Sequence, residues 1–283
     1  GDIVDGHVFG YDAFATIQDG IDAVEGSTVH VAAGTYDEQV VIDKALTLQG
    51  AGDTTIIKPS QGTANNFQLF DRLGSGTNNT APIIIASEPI IDSVTIKNLK
   101  VDGENIASVP GANSLVGVFY RETYGIINSV TIENINILNG NGIYLSAVVP
   151  GSSSVEVKNC RISSYLKNGI TANGDTLTAN IHDNTVTGLG PVDYIAQNGI
   201  QIGFGATGTI QNNSVTSHSY TGGYWTATGI LVYQASGNTD TLSNNPVREN
   251  QVGIYYVYSS GTVNENNITA SATGVGLDEF YGI

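Results

Sequence analysis

The chain has 283 residues, 26 acidic against 10 basic side chains, a formal net charge of −16 and a mean hydropathy near zero. Such an acidic chain repels phosphate backbones and anionic membranes, which excludes nucleic acid as the expected partner, and no apolar run is long enough to predict membrane insertion. Only 13% of residues are charged and the 35 glycines are spread along the chain without a linker, which predicts one turn-rich all-β domain over residues 1–283.

The N-terminal part shows the period of a short amphipathic helix. Over residues 11–27, Phe14, Ile17, Ile21 and Val24 recur at the spacing of one helical face. A β-branched run at 28–31 follows and predicts the first strand. We therefore expect one helix, then strands from residue 28 onward.

Two short phrases recur through the rest of the chain. The first has an apolar residue, a polar residue, an Asn-like residue, two variable residues and a final apolar residue, and its copies begin at Ile96, Ile132, Val157, Ile181, Ile210, Leu242 and Val263. The second is a glycine followed by Ile or Val, at Gly142, Gly169, Gly199, Gly229, Gly253 and Gly274. The two phrases keep in phase along the chain although their spacing varies, so together they mark one structural unit. Each unit is too short to bury an apolar face alone. Stacked coils of parallel strands, spaced about 4.8 Å apart, bury it against their neighbours.

The third position of the first phrase is a row of mostly asparagine. We interpret it as a stack of amides that satisfies backbone groups at the turns. Leucine-rich repeats have similar periods but need a Leu-rich consensus and a helical half, and a β-sandwich would show antiparallel hairpins without a row at fixed phase. Both alternatives fit the chain less well.

Residues 11–57 resemble the N-terminal segment of the pectin lyase-like superfamily. The resemblance lies in the helix followed by Gly34-Thr-Tyr-Asp-Glu38 and Leu46-Thr-Leu-Gln-Gly-Ala-Gly-Asp53. It implies a single-stranded right-handed parallel β-helix of about ten coils over 28–283, with the helix at 11–27 capping the first coils. It does not imply an activity, since pectinesterases, lyases, epimerases and non-catalytic surface modules share the segment. The downstream Gln-Asp-Thr-Leu and Leu-Gly-Arg-Pro-Trp motifs of pectinesterases are missing, and no specific enzyme family matches.

The C-terminal residues 263–283 still follow the coil pattern and show no capping helix or polar lid. An uncovered solenoid end is a strand edge, and edges pair. We therefore expect further domains of a larger chain or end-to-end self-association.

Insertions between the two phrases are the expected place for function, because the wall of a solenoid is structural. The insertions at 187–198 and 216–228 are the longest. Because they leave the same corner of consecutive coils, we expect the insertions to stack into one protruding wall. Aromatic rings beside polar groups suit a sugar site. The carbohydrate-binding candidates are Tyr165, Tyr194, Tyr220, Tyr224 and Trp225. The catalytic candidates, chosen as base, carboxylate neutraliser or acid, are Lys167, Asp193, His218, Arg248 and Glu249.

Asp102 and Glu104 form a separate candidate site. Their carboxylates are oxygen ligands of the kind that calcium takes, if neighbouring turns supply further oxygens. Calcium is the one cofactor that the sequence suggests.

Three functions stay open from the sequence. The leading hypothesis is an extracellular or cell-surface module that recognises polysaccharide through the loop wall. The first alternative is a polysaccharide lyase or glycoside hydrolase of an unfamiliar family. The second is a structural protein of a surface layer or fibre, associating through its open end.

Overall fold

The computed structural model describes residues 3–4, 6–8, 10–59, 70–71, 79–87, 93–104, 106, 109–137, 139–149, 151, 153–236 and 240–270. Apart from β1 (Ile3–Val4), β2 (His7–Val8) and β8 (Phe70–Asp71), which make antiparallel pairs, all its strands are parallel to their neighbours. They stack in three columns that run the length of the domain. The all-β parallel β-helix expected from the repeat is therefore confirmed.

The first column contains β3 (Thr28–His30), β6 (Thr47–Gln49), β10 (Val94–Asp102), β12 (Gly125–Glu133), β14 (Ser153–Lys158), β17 (Leu177–His182), β20 (Thr207–Gln211), β23 (Asp240–Ser243) and β26 (Gly261–Asn264). The second contains β4 (Gly34–Asp37), β7 (Thr55–Lys58), the ends of β10 and β12, β15 (Arg161–Ser163), β18 (Thr185–Val192), β21 (Ser214–Tyr220), β24 (Pro246–Asn250) and β27 (Asn267–Ala270). The third contains β5 (Val40–Ile42), β9 (Asn79–Ser87), β11 (Ser114–Arg121), β13 (Asn141–Ser146), β16 (Asn168–Asn173), β19 (Asn198–Gly203), β22 (Thr228–Tyr233) and β25 (Val252–Val257). In the described residues these strands make eight complete coils and the first two strands of a ninth. Of the predicted open end at 263–283, residues 271–283 lie outside the described residues.

In-register stacking builds the core. In the described residues, the apolar residue after each glycine of the second phrase pairs with its counterpart in the neighbouring coil, and these residues are all buried: Ile143, Ile170, Ile200, Ile230 and Ile254. Each such side chain packs against the one above and the one below. Burying an aliphatic side chain of this size contributes about 1.5–3 kcal/mol, so the row is a major source of stability.

The N-terminal helix is shorter than the predicted range 11–27. Helix α1 spans Ile17–Ala23, and Thr16 ends it on the N-terminal side by accepting a hydrogen bond from the Asp19 backbone N–H at 3.1 Å. The Glu38 carboxylate accepts hydrogen bonds from the first two backbone N–H groups of the helix, those of Ile17 and Gln18. Ile17 and Ile21 are buried, as the predicted helical face requires, whereas Phe14 precedes the helix. Among the described residues, no helix has the length and apolar content needed to span a bilayer.

The predicted asparagine row has a different role from the one expected. Its members have positive φ, between 54° and 61°, and form the bend between the first and second columns: Asn98, Asn134, Asn159, Asp183, Asn212, Asn244 and Glu265. Asparagine tolerates this left-handed conformation better than most residues. The row is therefore selected for the bend.

The stacked amides belong to the next residue along the chain. The Asn213 side chain accepts from the Asn184 backbone N–H at 3.1 Å and donates to the Ile181 carbonyl at 2.9 Å, both in the preceding coil. Asn184, Asn245 and Asn266 each make the same two bonds to the coil before their own. One amide per coil thus satisfies two backbone groups that the bend removes from the sheet.

Replacing a ladder amide should therefore destabilise the domain. We expect Asn213→Ala to lower the free energy of unfolding by about 2–3 kcal/mol, because it leaves buried backbone groups without partners. Asn212→Gly is the matched control, since Asn212 is exposed and glycine adopts its positive φ freely. Equal losses for the two variants in denaturant titrations would show that the ladder has no special stabilising role.

Candidate functional site

The predicted wall exists at the corner between the second and third columns, but it is smaller than expected. Strands β18 and β21 stay paired as far as Val192 and Tyr220, with a bulge between Thr187 and Gly190, so much of each predicted loop is strand. The remaining loops, 193–197 and 221–227, leave the same corner of consecutive coils. A hydrogen bond from the Thr221 N–H to the Val192 carbonyl, 2.8 Å long, joins them at the base. These two loops are called the loop wall below.

The loop wall presents three free aromatic rings. Tyr194, Tyr224 and Trp225 are 65%, 95% and 74% exposed. Asp193 is also exposed, and Tyr220 is half-buried at the base. Arg248 and Glu249 lie one coil further on and are exposed, with the Glu249 carboxylate accepting from the Ser217 hydroxyl at 3.4 Å. These positions agree with the expected exposure, and the roles assigned to the residues stay predictions.

Tyr165 and His218 do not belong to this surface, contrary to the expectation that they lie in the wall. Both are completely buried, and the Tyr165 hydroxyl is hydrogen-bonded to Nε2 of His218. The other ring nitrogen, Nδ1, is 2.7 Å from Oδ1 of Asn250, whose Nδ2 donates to the Val215 carbonyl. Since Oδ1 can only accept, Nδ1 carries the proton and Nε2 accepts from Tyr165. The two side chains form an internal polar contact that a polymer cannot reach.

The imidazole occupies space left by two glycines of the intervening coil. A Cβ on Gly188 would lie 2.7 Å from Cδ2 of His218, and one on Gly199 would lie 2.9 Å from Cε1. Tyr165, from the coil before these glycines, therefore reaches His218 in the coil after them. Burial lowers the pKa of His218 to about 4 and raises the pKa of Tyr165 well above 10, so both are neutral at physiological pH.

A polar cleft of about 380 Å³ lies on the outer face of the third column, beside the loop wall. Its lining residues are mostly amides from consecutive coils: Asn113, Asn139, Asn141, Tyr144, Lys167, Asn168, Asn173, Gln201 and Phe204. Hydrogen bonds between coils hold the amides in place, from Asn173 to the Tyr144 hydroxyl at 2.9 Å and from Gln201 to Oδ1 of Asn173 at 3.0 Å. Carboxylates are absent from this described lining.

Lys167 connects the cleft to the loop wall. Its ammonium donates to the carbonyl of Ala196, in the first wall loop, at 2.6 Å. Burial lowers the pKa of Lys167, and within the described part of the chain no carboxylate forms an ion pair with it. Lys167 is thus the one predicted catalytic residue that lines the cleft.

The cleft asparagines were not identified from the sequence, although a signal for them exists. Asn141 and Asn168 of the cleft, and Asn198 in the coil after them, each stand directly before a glycine of the second phrase. They pair in register, and Nδ2 of Asn198 donates to Oδ1 of Asn168 at 3.0 Å. A repeated Asn-Gly at the start of the third column marks this face, whereas the predicted site residues were all aromatic or ionisable side chains.

The calcium candidates are not arranged as a ligand set. Asp102 is buried and accepts from the Asn134 side chain at 2.8 Å and from the Glu104 backbone N–H at 3.0 Å. Its second oxygen lies 3.5 Å from the Lys100 ammonium. Glu104 is exposed, and among the described residues no three His, Cys, Asp or Glu side chains come together as a metal site would require. Asp102 is occupied by protein donors, so the geometry lends calcium no support.

Comparison with known proteins agrees with this architecture. Residues 75–278 match the family model described as the right-handed beta helix region. The chain belongs to the right-handed β-helix family. This family model covers most of the described coils, including every residue of the cleft and the loop wall.

Individual relatives of this β-helix are distant. The chain is 23% identical over 261 residues to the probable pectinesterase A of Aspergillus niger, covering 87% of this chain and 74% of that protein. The A-module of the Azotobacter vinelandii mannuronan C-5 epimerase AlgE6 is similar in structure, with a TM-score of 0.52 at 15% identity, over 88% of this chain and 70% of that chain. A family 28 exopolygalacturonase of Yersinia enterocolitica aligns with a TM-score of 0.47 at 14% identity, over 99% and 76% of the two chains. Similarity at this level shows the shared fold alone.

The buried histidine should make the stability of this β-helix depend on pH. An unfolded histidine has a pKa of about 6.5, whereas folded His218 has one of about 4, so the unfolded state binds the extra proton between these values. The His218 contribution is fully present above pH 6.5 and is lost as the pH falls to 4, by about 3 kcal/mol in total. Guanidinium titrations across this range should show a smaller pH dependence for His218→Gln than for the wild type.

His182→Gln is the control with the opposite sign. Burial alone would lower the pKa of His182, but the hydrogen bonds that its ring donates to the Asp183 and Glu156 carboxylates raise that pKa above 6.5. Its stabilising contribution is therefore present at low pH and lost as the pH rises through the folded pKa. An unchanged pH dependence in His218→Gln would contradict the buried neutral imidazole.

Proposed function

We propose that this protein binds polysaccharide in the cleft of the third column, with the loop wall as one rim. The observation that carries the proposal is the cleft itself, which lies beside the exposed rings of the loop wall and in which exposed Asn113 and Asn139 and half-buried Lys167 accompany buried, ordered amides. Amides both donate and accept hydrogen bonds, as sugar hydroxyls do, and aromatic rings pack against the apolar faces of pyranoses. The relatives support the same class of ligand, since pectinesterase and mannuronan epimerase are names of enzymes that act on polysaccharides.

The charge distribution favours the cleft as the position for an acidic polymer. The chain as a whole has a net charge of −16 and repels polyanions at long range. Lys167 places a cation in a cleft whose described lining has no carboxylate. A uronate carboxylate meeting this ammonium would form a charge-assisted hydrogen bond. Neutral glycans depend on the amides and rings alone.

Binding can be tested with galacturonan, mannuronan and a neutral glucan on affinity gels. We expect Lys167→Met to weaken binding of the acidic polymers about tenfold, because it removes the charge and keeps the apolar stem. Lys97→Met is the matched control, since Lys97 is a half-buried lysine on the first column. If none of the three polymers is retained by the wild type, or both lysine variants bind alike, the proposed site is wrong.

The single tryptophan reports on the rim directly. Trp225 is the only tryptophan of the chain and is 74% exposed, so its emission comes from the loop wall. Saturation with the bound polymer should shift this emission to shorter wavelength, because a stacked sugar removes water from the indole. Trp225→Ala should weaken retention about tenfold. A wild-type emission spectrum unchanged at saturation would separate the loop wall from the binding site.

A lyase is the second candidate function, favoured by the lowered pKa of Lys167. A desolvated lysine releases its proton more readily and can act as the base that removes the proton α to a uronate carboxylate. Hydrolysis is less well supported, because it uses two carboxylates across the scissile bond and the described cleft lining has none. Ultraviolet absorbance from an unsaturated product, lost in Lys167→Met, would establish the lyase. New reducing ends without that absorbance would point to a hydrolase.

Two further expectations stay predictions. An extracellular or cell-surface location fits a polysaccharide ligand. End-to-end self-association would involve residues 271–283, which lie outside the described residues, and a concentration series by light scattering tests it.

A further inference from the structure

Aromatic side chains continue the cleft along the outer face of the third column. In each strand of this column alternate residues face outward, because residues such as Ile230 and Val232 fill the core. The outward neighbour of Gln201 in the next coil is Leu231, and the one after it is Tyr255. The face therefore changes from amides in the middle coils to apolar and aromatic residues in the last ones.

Phe204 joins the two parts of this face. It lines the cleft, is 50% exposed, and its ring centroid lies 5.3 Å from that of Tyr233 in the next coil. Phe204 and Tyr258 occupy equivalent turns two coils apart, with φ of 52° and 50°. Tyr258 is 84% exposed and Tyr255 is 45% exposed. Phe204, Tyr233, Tyr255 and Tyr258 are called the aromatic stripe below.

We propose that the aromatic stripe is a second binding segment for the polysaccharide held in the cleft, so that the polymer lies along the solenoid axis. This inference rests on the function proposed above and adds the length of the binding site and the direction of the bound polymer. Because Phe204 belongs to both the cleft and the stripe, a chain leaving the cleft toward the C-terminal coils meets Tyr233 first. From there it continues over Tyr255 and Tyr258.

The chemistry of the stripe favours a sugar over a protein partner. Three of its four rings carry hydroxyls, and exposed Gln234, in the turn between those of Phe204 and Tyr258, offers an amide for hydrogen bonding. A protein interface would instead be expected to bury a contiguous apolar centre. Rings that carry hydroxyls, with one amide beside them, offer pyranoses stacking faces and nearby donors.

The stripe predicts that affinity depends on the length of the oligosaccharide. Coils are about 4.8 Å apart, so the cleft, three steps from β11 to β19, spans about 14 Å, and the stripe adds two steps, or about 10 Å, as far as β25. A trimer can fill the cleft alone, whereas a decamer also covers the stripe. We expect the wild type to bind decamers about tenfold more tightly than trimers, which is the effect of one or two stacked rings.

The experiment is calorimetry with trimers and decamers of galacturonate and of mannuronate. Tyr255→Ala combined with Tyr258→Ala should abolish the tenfold gain for decamers and leave trimer affinity unchanged. Replacing both residues by Phe should keep the gain, since the rings remain. Tyr11→Ala is the matched control, because Tyr11 is 80% exposed at the opposite end of the domain.

The outcomes separate the two proposals. Trimers that bind, with a length gain that survives in the double Ala variant, would overturn the stripe and leave the cleft intact. If neither sugar series binds the wild type at any length, the proposed function fails as well. A change in oligomeric state of the double Ala variant, seen by light scattering with sugar affinity unaltered, would identify the stripe as a contact between copies and overturn its role in sugar binding.

Discussion

In-register stacking of parallel strands is the constraint on which this structure depends. Each coil bonds to the next along all three columns, so residues one repeat apart in the chain become vertical neighbours. An interior side chain therefore contacts its own counterparts, and a row is stable only if every member has a compatible size and polarity. The row from Ile143 to Ile254 meets that condition with one residue type. Rows of Asn meet it with hydrogen bonds instead.

Corners are where this rule is hardest to satisfy, because a bend breaks the backbone pairing of the sheets. At the first corner the positive φ of residues such as Asn212 turns the chain, and the amide of Asn213 restores the two bonds that the turn removes. At the second corner the solution spans three coils, since Gly188 and Gly199 make room for Tyr165 to reach His218. A buried neutral histidine at that position links the integrity of the corner to pH.

The composition of the outer face of the third column changes along the axis, from buried residues to exposed ones. Phe119 and Tyr144 pack together in a buried cluster, Thr171 and Gln201 follow in the same register, and Tyr255 is exposed near the end. Regular spacing on a rigid wall holds these groups in fixed positions, so a ligand would pay little entropy to order the site. The loop wall adds exposed rings at one corner of the same face.

The sequence by itself determined the repeat, the parallel stacking and the position of the loop wall, because these follow from the period of apolar residues and from insertion lengths. It also determined that Tyr194, Tyr224 and Trp225 are exposed, since they fall in the tips of the insertions. Only the tertiary structure decided that Tyr165 and His218 point inward and that the amide ladder begins one residue after the predicted row. Side chains on a strand alternate between the two faces with a period of two. A bend or a bulge, such as the one between Thr187 and Gly190, therefore exchanges the inward and outward positions that follow it. The local sequence pattern does not show that exchange. The cleft likewise exists only in the tertiary structure, because its amides come from separate coils and meet only when the coils stack.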